Sequence, residues 1–256
     1  MSNRIATIGQ YTVLEALRTR LPLLAALSIA VLLGASFFVR EIAITESTRL
    51  QTSFYAGTVR FAMFMLTALH VIGSIGRDFQ DKGLDMALAL DLPRSHYVMG
   101  KLAGFLAVAA ALAFAAGVSL VPLAGWEGTA QWTLSLALEL AVVVALSMFC
   151  VITFTSLMPA ASFVIAFYLL ARVITAIRLI TANPVAGADT VPHQVMQWLI
   201  EGIALIVPPI DQWTRTEWLV DHSGSWTMLA AVAGHAVLFA VVVTAAAVFD
   251  LQRRNF

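Results

Sequence analysis

Long apolar runs alternate with short polar connections along this chain, and the run lengths dictate the elements. A helix that crosses the hydrocarbon of a bilayer needs about 20 mostly apolar residues. Five runs qualify outright: 22–39, 58–76, 102–123, 132–156 and 226–249. A sixth, 160–180, qualifies although it carries Arg172 and Arg178. The pattern predicts an all-α, polytopic membrane protein with six transmembrane helices in one domain spanning 1–256. Residues 1–21 set Ile5, Ile8, Val13 and Leu17 among Arg4, Glu15, Arg18 and Arg20, which reads as an interfacial helix. That polar lead is long for a cleaved signal peptide, and the run after it exceeds the usual apolar region of about 7–15 residues.

Residues 181–225 are expected to form an outer segment with one or two short helices. Its apolar stretch, 195–207, is too short to span, carries Glu201 in its middle and ends at Pro208-Pro209. It either dips into the membrane surface or lies flat on it. Six spans put both termini on one side. Arg4, Arg18, Arg20, Arg77, Lys82, Arg94, Lys101, Arg253 and Arg254 fall on that side, against Arg40, Arg49, Arg60 and Arg215 on the other. The positive-inside rule makes the richer side cytoplasmic. All six tryptophans (126, 132, 198, 213, 218 and 226) are expected outside or at the outer interface.

Composition agrees. Of the 256 residues, 60% are hydrophobic and 12% charged, against about 45–50% and 25% in soluble domains. The 15 basic and 15 acidic residues balance, and no basic stretch suggests a nucleic-acid partner. A single cysteine, Cys150, excludes a disulfide framework. No G-x-S-x-G, H-E-x-x-H or P-loop occurs.

The most distinctive polar stretch is the loop 77–101, RDFQDKGLDMALALDLPRSHYVMGK. On a helix, Asp78, Asp81 and Asp85 would share one face, with Phe79, Met86 and Leu90 on another, until Pro93 ended it. Three readings follow. D-x-x-D-x-x-x-D is the pattern with which membrane prenyltransferases hold Mg²⁺ against a diphosphate, since carboxylates suit a hard cation. Those enzymes carry a second Asp-rich motif and more spans. The loop could also be a plain solvated connection, or a helix that docks in a partner's groove. Within the spans, Glu139 and Arg172 fall at similar depths, about 10–12 Å in, on antiparallel neighbours. They are expected to pair, as a structural clasp or as the polar lining of a path. Arg178 is near enough to the surface to snorkel. His70 and His235 are each alone on a span and at different depths, which favours buried, hydrogen-bonded histidines over haem ligands. His96, His193 and His222 have no metal-ligand spacing.

The stretch 78–104, above all LDMALALDLPRSHYVMGKLAG, resembles the permease subunits of ABC-2 type exporters. The matching elements are an acidic, glycine-containing turn (Asp81, Gly83, Leu84), a Leu/Ala-rich helix (Leu88), the turn Pro93-Arg94-Ser95, and Gly100-Lys101 opening the third span. The interfacial N-terminal helix, six spans and outer excursion agree with the family too. The nearest flavour is the branch associated with multicopper-enzyme maturation. Leu84 stands where a threonine is frequent.

The resemblance implies a non-enzymatic, dimeric permease, paired with itself or a paralogue, in a bacterial inner membrane with both termini cytoplasmic. It would have no cofactor of its own. ATP and Mg²⁺ would bind a separate ATPase, and the segment 77–92 would be a coupling helix. Asp78, Phe79, Asp81, Lys82, Gly83, Leu84, Asp85, Met86 and Leu88 would seat in that partner.

Overall fold

The computed structural model describes residues 2–44, 46–80, 93–154, 156–182, 191–213, 216–220 and 225–253, which are almost wholly helical and contain no strand. The chain runs through α1 (Ser2–Arg18), α2 (Leu21–Ile42), α3 (Ser47–Gln80), α4 (Arg94–Ala124), α5 (Trp126–Phe154) and α6 (Leu157–Ala182). It continues through α7 (Val191–Ile206), the single turns α8 (Ile210–Trp213) and α9 (Glu217–Val220), and α10 (Trp226–Arg253). Six helices, α2 to α6 and α10, are long and apolar enough to cross a membrane, so this is a multi-pass membrane protein.

Helix α5 is the axis of the bundle. It packs against α3, α4, α6 and α10, and buries both polar and apolar positions along its length. Helix α2 lies outermost, against α3, with Leu23 and Phe38 about two-thirds exposed. Such apolar surface would invite aggregation in water, but it is what a lipid-facing helix presents. The Glu15–Arg77 contact and the bonds from Arg94 to the carbonyls of Leu251 and Gln252 gather α1, the end of α3, the start of α4 and the end of α10 at one end of the bundle. Both described chain ends therefore lie at that end.

The helices outrun their apolar runs. Helix α3 starts eleven residues before the run at 58–76 and has 34 residues, about 51 Å against a hydrocarbon core of about 30 Å. The added turns are polar in sequence, yet Gln51, Thr52, Tyr55 and Ala56 are buried. The Gln51 amide donates to Ser36 on α2 at 3.4 Å, and the Tyr55 and Ser119 hydroxyls bond at 2.6 Å. Pro93 directly precedes α4, and its carbonyl accepts the His96 N–H at 2.9 Å. Gly125, at φ +73°, makes the tight turn from α4 to α5.

Helix α1 is docked, with an interfacial face left over. Gly9, Thr12 and Ala16 are buried against α4, while Tyr11, Leu14 and Leu17 face outward. The docking uses Gly100-x-x-x-Gly104, a spacing that brings helices close. A Cβ on Gly104 would fall 2.5 Å from the Thr12 Cβ and 2.8 Å from the Gly9 carbonyl. Residues 191–220 hold three short helices where one or two were expected, and α8 and α9 are more deeply seated than surface helices. Ile210, Trp213, Trp218 and Leu219 are buried against α3, α5 and α6. Of the six tryptophans, Trp132 departs from the expected interface, being wholly buried inside the bundle.

Gly104→Val is expected to cost about 1–3 kcal/mol by overpacking the α1–α4 contact. Gly34→Val, at a glycine with nothing within 4 Å, is expected to stay within about 0.5 kcal/mol. Thermal unfolding of the purified protein in detergent compares the two.

Candidate functional site

Two polar clusters stand out in the otherwise apolar bundle. The first joins α3, α5 and α6 through one pair per helix at i, i+4, the spacing that stacks side chains on a single face. Helix α3 supplies Arg60 and Phe64, α5 supplies Ser135 and Glu139, and α6 supplies Tyr168 and Arg172. The Arg60 guanidinium donates to Glu139 Oε2 at 2.6 Å and to Ser135 Oγ at 3.1 Å. The Tyr168 hydroxyl donates to Glu139 Oε1 at 2.7 Å, and Arg172 lies 3.8 Å from that oxygen. Arg60 rests 4.8 Å over the Trp132 ring, and Phe64 stacks on Tyr168 with centroids 3.6 Å apart.

The expected Glu139–Arg172 pair is present, but it is secondary. The principal partner of Glu139 is Arg60, which the sequence put among the outer charges. Its burial follows from the extra turns of α3, which carry it to mid-helix. The side chains of Arg60 and Glu139 are 1% and 0% exposed, and that of Arg172 is 30%. A 2.6 Å charge-assisted contact is short and strong. Its worth lies in what breaking it would leave behind, a buried charge with no counter-ion. The network ties three helices together, with Arg172 at its partly exposed edge.

The second cluster sits where the chain ends gather. Glu15 of α1 accepts from Arg77 at 2.8 Å, from Ser74 at 2.9 Å and from Lys101 at 3.3 Å. Asp78 accepts from the Tyr97 hydroxyl at 2.6 Å and pairs with Lys101 at 2.9 Å. Lys101 is buried at the start of α4, over the Phe105 ring. Partial burial pushes the Glu15 carboxyl up, but Arg77, Lys101 and Ser74 together bring it below the ordinary glutamate value.

Asp78, expected to face a partner, is thus held within the chain, and Phe79 packs partly buried against the core. Asp81, Lys82, Gly83, Leu84, Asp85, Met86 and Leu88 lie outside the described residues, as does most of the predicted coupling helix. In the sequence Glu15 reads as one charge on an amphipathic helix. Its signal was the buried-face pattern of Gly9, Thr12 and Ala16, which turns α1 toward Lys101.

Among the described residues the histidines share no site. His70 packs edge-on against Phe105, with centroids 5.9 Å apart. His235 bonds the Ala231 carbonyl of its own helix at 2.9 Å and is exposed on the bundle surface. Among the described residues no group of three His, Cys, Asp or Glu side chains could hold a metal ion. No protein-family model matches the chain, and no curated protein matches it significantly.

Glu139→Leu, which strands Arg60, is expected to cost about 3–5 kcal/mol. Arg172→Leu, whose removal leaves the 2.6 Å pair intact, is expected to cost clearly less. Unfolding midpoints in detergent give the order. The depressed Glu15 pKa carries a sign as well. Its contribution is fully present above the unfolded value of about 4.3 and is lost as pH falls through the lower folded value. Thermal scans from pH 7 to pH 3 are expected to show the wild type converging on Glu15→Gln at the acid end.

Proposed function

We propose that this protein is the membrane permease subunit of an ATP-binding cassette exporter, driven by ATP hydrolysed on a separate subunit. The observation that carries this reading is the charged cluster at the base of the 81–92 segment. Asp78 precedes that segment and Lys101 follows it, and the two pair at 2.9 Å. Glu15 and Tyr97 brace the same pair, so α1, α3 and α4 meet at the residues that flank this segment. A loop that transmits force must be anchored rigidly at its base, and an ion cluster is such an anchor. The resemblance of 78–104 to ABC-2 permeases supplies the partner's identity, and the positive-inside rule puts this end in the cytoplasm.

In this reading, closure of two ATPases against two permease copies pushes on the 81–92 segments. The push passes through the cluster into α3 and α4, and the three-helix clasp moves α5 and α6 with them. The rival reading, an Mg²⁺-dependent prenyl transferase, is weakened by Asp78. The first carboxylate of its motif is already neutralised by Lys101 instead of being free for a metal.

The test is a mild-detergent pull-down of the tagged chain from native membranes, with partners identified by mass spectrometry and ATP hydrolysis assayed. A stoichiometric ATPase is expected with the wild type, and its loss with Asp81→Lys/Asp85→Lys. Lys101→Met is expected to keep the ATPase bound while reducing transport-coupled hydrolysis about tenfold or more, as for loss of a buried charge partner. Absence of any ATPase from the folded chain would refute the proposal.

A further inference from the structure

Two cavities meet at the end of the bundle opposite the chain ends. The larger, about 970 Å³, is an apolar groove between α5, α6 and α10, lined by Phe149, Phe163, Phe167 and Phe239 and closed at its end by Trp213 and Trp218. It follows α10 from Met228 to Val243, about 22 Å of helix, which is more than half the thickness of a bilayer's hydrocarbon core. The smaller, about 260 Å³, has a mixed polar and apolar lining and lies between the end of α6, α7 and α8. Thr175, Gln197, Arg178 and Glu201 line it, and Gln212 lines both cavities. Arg178 and Glu201 are both exposed, and no ion pair joins them.

We infer that the two cavities form one binding site for a single phospholipid whose zwitterionic head group carries a phosphate and a primary amine. Shape and charge agree on this occupant. A long apolar groove of this size accepts acyl chains and sits within the volume range of ligand sites. At one end it shares Gln212 with the smaller pocket, whose described lining holds one cation and one anion. The Arg178 guanidinium offers a planar fork to phosphate. The Glu201 carboxylate accepts from an ammonium, and Gln197 and Gln212 offer amides to the glycerol esters. Snorkelling keeps the Arg178 charge at head-group depth. An anionic lipid without an amine would satisfy Arg178 and be repelled by Glu201. A lipid with a quaternary amine would lose the hydrogen bonds to the carboxylate. The site stands independently of the exporter reading, because it needs only a bilayer.

Native mass spectrometry of the full chain in detergent tests it, with dioleoyl phosphatidylethanolamine, phosphatidylglycerol and phosphatidylcholine titrated separately. One phosphatidylethanolamine is expected to be retained per chain, about fivefold more strongly than either competitor, a preference of the size that exposed charged contacts give. Glu201→Gln is expected to abolish the preference over phosphatidylglycerol without weakening phosphatidylglycerol itself. Val232→Trp, which fills the groove, is expected to reduce retention of all three lipids. Ala26→Trp, in the separate groove lined by α1, α2 and α4, is expected to change nothing. Unfolding midpoints confirm that each variant is folded, and Glu201→Gln, at an exposed position, decides the matter even if Val232→Trp does not fold. Equal retention of the three lipids, or a preference that survives Glu201→Gln, would mean annular lipid only and would overturn the proposal.

Discussion

The Arg60–Glu139 pair is the constraint on which the rest of the bundle depends. Each side chain is held where neither water nor lipid can solvate its charge, so each requires the other. The requirement fixes α3 against α5 to within the tolerance of a hydrogen bond. Tyr168 and Arg172 extend it to α6 through the second carboxylate oxygen. Apolar contacts alone would let these helices slide, because hydrocarbon outside the bundle is as good a partner as hydrocarbon within it. The pair turns a greasy surface into a fixed register. Since α5 also packs on α4 and α10, that register spreads through most of the bundle. Helix α2, with no link to the network, is left on the periphery.

The same helices carry the second cluster. Helix α3 holds Arg60 near its middle and Ser74, Arg77 and Asp78 near its end. Movement at the chain-end face therefore cannot stay local, because α3 is continuous between the two sites. Lys101 and the Gly100–Gly104 contact tie α1 and α4 into the same place. At the opposite end, α8 and α9 wedge Trp213 and Trp218 between the helices, with Thr175 donating to Asp211 at 2.9 Å. One end of the bundle is thus charged and braced around Asp78 and Lys101. The other is sealed by aromatic side chains and flanked by grooves.

How much of this could be read in the sequence depended on what decided each feature. The six spans were legible because a run of about 20 apolar residues has few other uses. The Glu139–Arg172 neighbourhood was legible because charges in such runs are rare and adjacent spans are antiparallel. The start of α3 was hidden. Its residues are polar, and only a tertiary partner such as Ser36 or Ser119 makes their burial favourable. Arg60 was misplaced with it, and the main ion pair went unseen. Trp132 looked like an interface anchor because the identity of tryptophan does not report what lies over the ring, which here is Arg60. The α1–α4 contact had a signal in Gly100-x-x-x-Gly104, obscured by the stronger impression that Gly100-Lys101 opens a span.

The most direct test of the central claim is a double-mutant cycle on Arg60→Met and Glu139→Leu, read as unfolding free energy of the purified chain in detergent. If the buried pair organises the bundle, either single change is severe and the double change is milder than their sum, with a coupling of about 2–3 kcal/mol. Costs that add to within about 0.5 kcal/mol, the behaviour of independent sites, would contradict it.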